Sequence, residues 1–396
     1  TSGSIAVPQA SLTILGRTRY ELTIDGNRID RVFLHTGTGT LRIDHVSVAN
    51  GQRIADQENQ ISEFGGCIRS EGNVALHQAW VHGCDTRAFG FIDGPLSWGG
   101  GITAMGDVYL GWGAVFDNEG LENGTGGGIY AKGRVWLHHS QVYQNFAYTG
   151  GGIVAQRGAS VTYSRIYRNR AETGAAGLYV DSITAPSDVF INKSTLSNNV
   201  LDNFLRGFAG GGGGFAFSCP QTGGARTIVD STISNNRSHS YSAGYSAGTL
   251  DVYNSTIAYN TEIPHGGPEG GDPDRPCDQR GALRADVLHV ESTIVARNSC
   301  VGGAVGYDIN AETGSVIGAN NLIEHTLVPV PADTLALNPR LGSLADNGGY
   351  SATHMPLADS PVLQRGSNLL DRAYDQRGPG FPRVKGGAPD IGSIER

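Results

Sequence analysis

Apolar and polar residues alternate along this chain in short stretches that return again and again. One stretch closes on asparagine and recurs roughly 25 to 35 residues later, a spacing typical of a solenoid. It reads VYLGWGAVFDN, VWLHHSQVYQN, SVTYSRIYRN, INKSTLSNN, IVDSTISNN and VYNSTIAYN, ending at Asn118, Asn145, Asn169, Asn199, Asn236 and Asn260. The repeat predicts stacked coils in which these asparagines lie above one another.

Two apolar positions recur within each stretch, eight and three residues before the asparagine, and a small residue stands five before it. The first column is Leu110, Leu137, Val161, Ile191, Ile228 and Val252, and the second is Val115, Val142, Ile166, Leu196, Ile233 and Ile257. The small residues are Gly113, Ser140, Ser164, Ser194, Ser231 and Ser255. This alternation around a bend predicts two short strands whose apolar residues point inward.

A second recurring stretch is rich in glycine and precedes the next strand: GGCI from Gly65, GGGI from Gly99, GGGIYA from Gly126, GGGIVA from Gly150. Stacked in register, the asparagines would bond from coil to coil through their amides. We therefore predict an all-β fold, a right-handed parallel β-helix with a C-terminal capping segment. A β-propeller is the nearest alternative, but its blades need ~40 residues each.

The repeat fades after Ile317, which divides the chain into parallel β-helix repeats over 1–317 and a last coil with a C-terminal cap or tail over 318–396. The capping role is expected because the open end of a solenoid must be covered. The chain begins at Thr1 in a strand-like pattern, so we expect a mature or trimmed form that lacks its export signal, if the protein has one.

Composition narrows the possible partners. The formal net charge is −8, which argues against nucleic acid as a partner, because phosphate binding depends on basic patches. No stretch approaches the ~20 apolar residues of a membrane span. Five cysteines include no close-spaced pair for a metal; Cys277 and Cys300 either pair after export or stay free. The sequence leaves the oligomeric state open.

The glycine and asparagine stretches resemble the repeats of polymorphic outer-membrane proteins. The opening SLTILGRTRYELTIDGNRIDRVF and the closing NPRLGSLADNGG through DIGSIE resemble bacterial parallel β-helix proteins of the choice-of-anchor Q type. The resemblance covers nearly the whole chain. It implies an elongated protein that is secreted or held at a bacterial cell surface, and it transfers no catalytic residue.

The early coils carry aromatic and basic residues at their outward positions, whereas the later coils carry Thr195, Ser197, Thr232, Ser234 and Thr256. Two before the ladder position, successive coils read His82, Phe116, Tyr143 and Tyr167, a stripe with the ~4.8 Å spacing of stacked strands. Such a stripe suits sugar rings, although well-packed sheet surface explains it equally well. The predicted substrate-binding residues are His82, Trp80, Trp136, Arg165, Tyr167, Arg157, Arg170 and Tyr179.

Loop lengths predict a trough between two walls. Its floor would carry Tyr130, Lys132, Tyr148, Gln156, Arg157, Arg170, Glu172, Tyr179 and Asp181, and its walls Asp93, Trp98, Glu119, Glu122, Asp202 and Arg206. Most such loops have no function beyond connecting strands.

Two reactions fit these residues. β-Elimination from a uronic acid needs a cation beside the carboxylate, a base for the C5 proton and an acid for the leaving oxygen. Arginine supplies the first, Lys132 or His138 the second, and Tyr143 or Tyr179 the third; the predicted catalytic residues are His138, Tyr143, Arg168 and Lys132. Glycoside hydrolysis needs two carboxylates ~5 to 9.5 Å apart, for which Glu119, Glu122, Glu172 and Asp181 are candidates.

No cofactor is predicted. Calcium is the one candidate ion, because Asp272, Asp274 and Asp278 share one loop, but a solvated loop is favoured. The function that these patterns favour is an exported β-helix protein that binds an acidic polysaccharide and is a candidate to depolymerise it by a lyase-like β-elimination. The alternative is a non-catalytic surface protein or adhesin using the same lateral face.

Overall fold

The computed structural model describes residues 3–54, 62–87, 97–182, 186–202, 211–218, 224–263, 281–301 and 306–396, without the side chain of Glu122. The described residues form strands, turns and bends and contain no helix. They fall into two compact units, Thr1–Ser160 with Arg165–Ser182 (unit 1) and Val161–Ser164 with Ile183–Arg396 (unit 2). Both are wound as a right-handed parallel β-helix, so the predicted fold class is confirmed.

One coil contains four strand positions, which we call A, B, C and D in chain order. In the coil that contains Lys132 they are Ile129–Ala131, Val135–His138, Gln141–Tyr143 and Phe146–Thr149. Each strand pairs in parallel with the strand at the same position of the neighbouring coil. Strands at one position therefore form a row along the unit, and side chains far apart in sequence become neighbours.

The strands of unit 1 are grouped here by row. Row A contains Ile5–Val7, Phe33–His35, Ile68–Ser70, Ile102–Ala104, Ile129–Ala131, Ile153–Ala155 and Leu178–Val180. Row B contains Leu12–Leu15, Thr40–Asp44, Asn73–His77, Val108–Gly111 and Val135–His138, and Gly158–Thr162 lies across the unit boundary. Row C contains Thr23–Asp25, Ser47–Ala49, Trp80–His82, Ala114–Phe116, Gln141–Tyr143 and Arg165–Tyr167. Row D contains Gln52–Ile54, Glu63–Phe64, Asp85–Arg87, Ser97–Trp98, Glu119–Thr125, Phe146–Thr149 and Arg170–Thr173.

Unit 2 repeats this plan. Phe215–Phe217 and Ile309–Ala311 belong to row A, Asp188–Asn192, Arg226–Val229 and Val316–Ala319 to row B, and the long strands Gly244–Tyr253 and Leu283–Glu291 span both. Row C contains Thr195–Ser197, Thr232–Ser234, Thr256–Ala258, Ile294–Ala296 and Leu322–Ile323. Row D contains Val200–Leu201, Arg237–Ser238, Thr261–Glu262 and Ser299–Cys300. Leu341–Ala345 and Thr353–Pro356 form a separate antiparallel pair.

Both predicted apolar columns point into the core. All twelve side chains are at most 1% exposed: Leu110, Leu137, Val161, Ile191, Ile228 and Val252 in row B, and Val115, Val142, Ile166, Leu196, Ile233 and Ile257 in row C. Full burial of one such side chain stabilises the fold by roughly 1.5–3 kcal/mol. The small serines between the columns accept backbone N–H groups at the bend, as Ser140 does from Gly113.

The asparagine ladder is confirmed in unit 1. The Nδ2 of Asn118 donates to the Oδ1 of Asn145 at 2.9 Å, and the Nδ2 of Asn145 donates to the Oδ1 of Asn169 at 2.9 Å. The same oxygens also accept the backbone N–H of the preceding ladder residue. Each amide thereby satisfies buried polar groups of two coils.

A disulfide stands at the start of this ladder. Cys84 aligns with Asn118, and its backbone N–H donates to the Asn118 Oδ1 at 3.1 Å. Cys67 aligns with Gly101, opposite the ladder, and is bonded to Cys84. Sequence reasoning missed this pair. Cys300 is also disulfide-bonded, while the predicted partner Cys277 lies outside the described residues.

The ladder of unit 2 runs from Asn199 through Asn236 and Asn260 to Asn298, with amide contacts of 2.9, 2.9 and 3.0 Å. It ends on a carboxylate: the Nδ2 of Asn298 donates to the Oδ1 of Asp308 at 2.7 Å. The other oxygen of Asp308 accepts the His325 N–H. Burial raises the pKa of Asp308 to about 7, against these hydrogen bonds, which lower it.

The segment after Ile323 covers row C of unit 2. Its Leu341, Val362 and Ile391 pack with four residues of that row, namely Ala258, Ile294, Ala296 and Leu322. The polar row C residues Thr195, Ser197, Thr232, Ser234 and Thr256 are at most 4% exposed. Small polar residues are found there because this surface is an internal interface, not an open face.

Side chains of the C-terminal segment bond directly to this polar row. Gln376 accepts from the Thr232 hydroxyl at 2.6 Å and contacts Thr195 at 3.0 Å. His354 contacts Ser234 at 2.8 Å, and Ser393 donates its N–H to Thr256 at 3.0 Å.

Buried charges lie under the same segment. Asp230 is fully buried, and its Oδ2 accepts from the Nζ of Lys193 and the Nε of Arg372, each at 3.0 Å. Lys193 also donates to the backbone carbonyls of Tyr374 and Asp375. Desolvation lowers the pKa of Lys193, opposed by Asp230. The ammonium group of Lys193, shared by three oxygens, thus adds to the contacts that hold the capping segment to the coils.

Candidate functional site

The predicted aromatic stripe exists in row C of unit 1. His82, Phe116, Tyr143 and Tyr167 stand on successive strands in register. Their ring centroids are 4.7, 4.9 and 4.8 Å apart, and neighbouring ring planes differ by at most 10°. The rings are stacked face to face along the unit.

This stacking changes what the stripe can bind. The faces of the inner rings are already in contact with other rings, and the Arg165 guanidinium lies 5.0 Å from the centroid of the Tyr167 ring. At the other end, the Nε2 of His82 contacts the Oγ of Ser47 at 2.9 Å. Sugar C–H groups bind the negative face of an aromatic ring. The stripe offers mainly ring edges, so its geometry favours packing over sugar stacking.

Trp80 is held beside the stripe by aromatic and cationic neighbours. Its ring makes edge contacts with Tyr20 at 5.0 Å and Phe116 at 6.2 Å, and Arg19 lies 5.0 Å from its centroid. This predicted substrate-binding residue is therefore part of the same packed surface.

His138 and Trp136 belong to row B. Trp136 aligns with Tyr109, and the Nε2 of His138 contacts the Nδ1 of His139 at 3.0 Å. The His139 ring stacks on Trp112 with centroids 4.0 Å apart. Burial and the neighbouring His138 lower the pKa of His139.

Arg165, Arg168 and Arg170 lie at three different positions of one coil. Arg165 is in row C, Arg170 is in row D with its guanidinium 5.6 Å from the Phe146 centroid, and Arg168 is exposed on the turn between them. Arg168 has a φ of 56°. It lies on a corner of the coil.

A polar cluster follows row A. Lys132, Gln156 and Asp181 come directly after successive row A strands, and the backbone N–H of each donates to the alanine carbonyl of the coil before it, at 3.0 Å. Arg157 comes next in sequence after Gln156, and Tyr179 is in the row A strand that Asp181 follows. We call these five residues, Lys132, Gln156, Arg157, Tyr179 and Asp181, the turn cluster.

Hydrogen bonds order the turn cluster. The Tyr179 hydroxyl bonds to the Asp181 carboxylate and lowers its pKa, but desolvation is the larger effect and raises that pKa. Gln156 bonds to the hydroxyl of Tyr130, which is 4% exposed and stacks on Trp98 with centroids 5.0 Å apart. Burial raises the pKa of Tyr130 to about 12. Ionisable groups with shifted pKa values beside exposed cations are typical of functional sites.

The four predicted catalytic residues lie on different parts of the coil. Lys132 is on the turn between rows A and B, His138 at the end of row B, Tyr143 in row C and Arg168 on the turn between rows C and D. Lys132, Arg157 and Tyr179 lie on three successive coils, in or directly after the row A strands.

Five of the predicted floor residues form this cluster, Tyr130 lies in row A, and Tyr148, Arg170 and Glu172 lie in row D. Tyr148 and Glu172 are neighbours there, and Glu172 contributes to the raised pKa of Tyr148. The sequence predicts Gln156 only as a floor residue, and Asp181 as a floor residue and a candidate carboxylate for glycoside hydrolysis. The signal that singles them out is their shared place immediately after row A. Asp93, Arg206 and the calcium candidates Asp272, Asp274 and Asp278 lie outside the described residues.

In the described part of the chain, no three His, Cys, Asp or Glu side chains converge in a way that would hold a metal ion. No helix that would span a membrane occurs in those ranges either.

Comparison with known proteins gives one structural likeness. The chain resembles the crystal structure of pectate lyase Pel9A with a TM-score of 0.43 and 16% identity, over 92% of this chain and 89% of that chain. At that TM-score the likeness says nothing about the activity of this chain. No family model and no curated protein matches, so the resemblance to choice-of-anchor Q and polymorphic outer-membrane proteins stays a prediction.

Proposed function

We propose that this protein is exported, binds an acidic polysaccharide at the turn cluster of unit 1, and cleaves it by β-elimination. Lys132 and Arg157 would hold the uronate carboxylate. Tyr179 and Asp181 provide the groups for proton transfer.

One observation supports this site above the others. Lys132 and Arg157 are both exposed, and neither forms an ion pair with any residue that the structure describes. They stand on adjacent coils, and Arg157 is on the coil next to the bonded pair Tyr179 and Asp181. A cation with no internal partner keeps its capacity for a ligand, and arginine matches the two oxygens of a carboxylate.

Export is supported by the disulfide chemistry. Cys67 and Cys84 are bonded, and Cys300 is bonded as well. Structural disulfides persist in oxidising compartments and are rare in a reducing cytosol. The proposed location is therefore extracellular or at the bacterial surface.

The test combines binding with product detection. Polygalacturonate, alginate, hyaluronan and glucuronan are titrated by calorimetry, and the ultraviolet absorbance of the unsaturated product is followed. Lys132→Ala and Arg157→Ala should each weaken binding roughly ten-fold. Lys385→Ala and Arg237→Ala, which replace exposed cations of unit 2, are the matched controls. Unchanged affinity in both turn-cluster variants would place the site elsewhere.

A non-catalytic adhesin is the alternative. The separate stacked surface of row C gives unit 1 a second lateral face with Arg165 and Tyr167 at its edge. Binding without any unsaturated product, lost in Arg165→Ala and kept in Lys132→Ala, would favour that function.

A further inference from the structure

We infer that Tyr179 and Asp181 act as a proton relay that carries the C5 proton of a uronate residue to the leaving glycosidic oxygen. This inference rests on the proposed function and assigns its chemistry to two residues. The sequence patterns indicate Asp181 as a floor residue and as one carboxylate of a hydrolase, and they place no base for elimination there.

Strand geometry brings the two side chains together. Tyr179 is the middle residue of Leu178–Val180, and Asp181 is two positions further on, so both project to the same side of the chain. Their hydrogen bond joins phenol to carboxylate. Both are half-buried, which leaves them open to a ligand while limiting the water around them.

The neighbouring coils supply charge and support. Arg157 and Gln156 are on the coil next to the pair, and Lys132 is on the coil before that. Tyr130, buried and stacked on Trp98, bonds to Gln156 and fixes its amide. Gln156 and Tyr130 are positioning residues in this scheme, whereas Tyr179 and Asp181 meet the substrate.

The chemical step balances without a co-reactant. The Asp181 carboxylate takes the proton from C5, and the electrons of that C–H bond form the C4–C5 double bond. The C4–O bond breaks, and its oxygen takes the proton of the Tyr179 hydroxyl. Asp181 then returns its proton to the Tyr179 phenolate, so one proton has moved from C5 to the leaving oxygen. Both cations offset charge that develops on the uronate carboxylate.

Burial makes the carboxylate of Asp181 a stronger base. Desolvation raises its pKa, which brings the carboxylate closer to the strength that a base needs at neutral pH, and the Tyr179 hydrogen bond opposes that effect. Removal of the phenol should therefore raise the pKa of Asp181. The acid limb of the rate profile would move to higher pH.

The experiment uses the whole chain and the polyuronate that gives the strongest product signal. Asp181→Asn should lower kcat by about 10³-fold and Tyr179→Phe by about 10²-fold, with substrate affinity within a few-fold of wild type. Residual activity of Tyr179→Phe should show its acid limb at higher pH. Added formate should restore part of the rate of Asp181→Asn, because a small carboxylate can replace the lost base.

Matched controls are Tyr109→Phe and Asp117→Asn, which alter an exposed phenol and an exposed carboxylate of the same unit; both should keep full rate. Circular dichroism and the melting temperature confirm that each variant folds. Full activity in Asp181→Asn would overturn the relay and leave the binding site intact. Binding by wild type with no product from any polyuronate would overturn the relay together with the proposed reaction, and loss of rescue by formate would also contradict it.

Discussion

The disulfide between Cys67 and Cys84 occupies the two positions at which the next coil has Gly101 and Asn118. A Cβ atom on Gly101 would lie 3.0 Å from the Asn118 amide carbon. Glycine is required there because the asparagine side chain fills the space. In the coil of Cys84 no amide is present, and the same space holds two sulfur atoms.

Because the disulfide fills the same space as glycine and asparagine in the next coil, two double variants of Cys67 and Cys84 should differ in stability. Cys67→Ser combined with Cys84→Ser should lower the free energy of unfolding by ~2–4 kcal/mol, the usual effect of losing a disulfide. Cys67→Gly combined with Cys84→Asn should recover part of that loss, because an amide at position 84 can donate to Asn118. Urea unfolding followed by circular dichroism measures both. Equal midpoints for the two double variants would contradict the equivalence.

Asp308 should make stability depend on pH. Burial raises its pKa in the folded protein to about 7, from the 3.8 of an ordinary aspartate. A raised folded pKa contributes stability that is complete below pH 4 and is lost as the pH rises through about 7. An amide does not titrate, so Asp308→Asn removes this pH dependence. The variant also loses the oxygen that accepts the His325 N–H, so it should be less stable than wild type at pH 5.

The measurement is urea unfolding of wild type and Asp308→Asn at pH 5, 6, 7 and 8. Their stability difference should shrink by at least ~1 kcal/mol across that range. The pH dependence of wild-type stability alone is not decisive, because burial also raises the pKa of Glu395 to about 8. Glu395 therefore lowers the stability of the folded protein with rising pH in the same direction as Asp308. A difference that stays constant with pH would show that Asp308 keeps its charge throughout.

Asp230 should be the key ionic residue of the C-terminal segment. Asp230→Asn leaves the buried Lys193 and the half-buried Arg372 beside a neutral amide, and breaking a buried ion pair such as that of Lys193 costs ~3–5 kcal/mol. Limited proteolysis should then cut the segment earlier than the coils. Asp359→Asn is the control, because its pair with Arg340 is more than half exposed and contributes ~1 kcal/mol or less. Equal effects of both substitutions would refute this role.

The aromatic stack should contribute to stability and not to substrate affinity. Tyr143 stacks on Phe116 at 4.9 Å and on Tyr167 at 4.8 Å. Tyr143→Leu should destabilise unit 1 by about 1–3 kcal/mol, whereas Tyr143→Phe keeps the stack and should have little effect. Thermal unfolding measures the stability of each variant, and glycan titration measures its substrate affinity. A large loss of affinity in the folded Tyr143→Leu variant would restore the stripe as a sugar site.

The repeats could be predicted from sequence because each coil fixes its own register. Leu110, Val115 and Asn118 have the same spacing as their counterparts in the other coils. Hydrogen bonds to the next coil are therefore enough to align each of them with its counterpart. The stack of Phe116 and Tyr143 follows from the same spacing.

The cover over row C of unit 2 could not be predicted in this way. Gln376 meets Thr232 across 144 residues, and no periodic pattern links them. The predicted catalytic residues lie on different surfaces for a related reason. Lys132 and Tyr143 belong to one coil, but a turn and two strand positions separate them, so closeness in sequence did not mean a shared surface.

The asparagine ladder has a direction. Asn145, for example, donates one Nδ2 hydrogen to the Oδ1 of Asn169 and the other to the backbone carbonyl of Val115 in the coil before, while its own Oδ1 accepts from Asn118. The first coil of such a column can therefore begin with a residue that donates nothing through its side chain, as Cys84 does. The last coil ends on a group whose oxygen accepts the final amide, as the Oδ1 of Asp308 does from Asn298. Lengthening this protein by whole repeats is thus straightforward in the middle of a unit, and beyond residue 308 it would demand a new terminal acceptor.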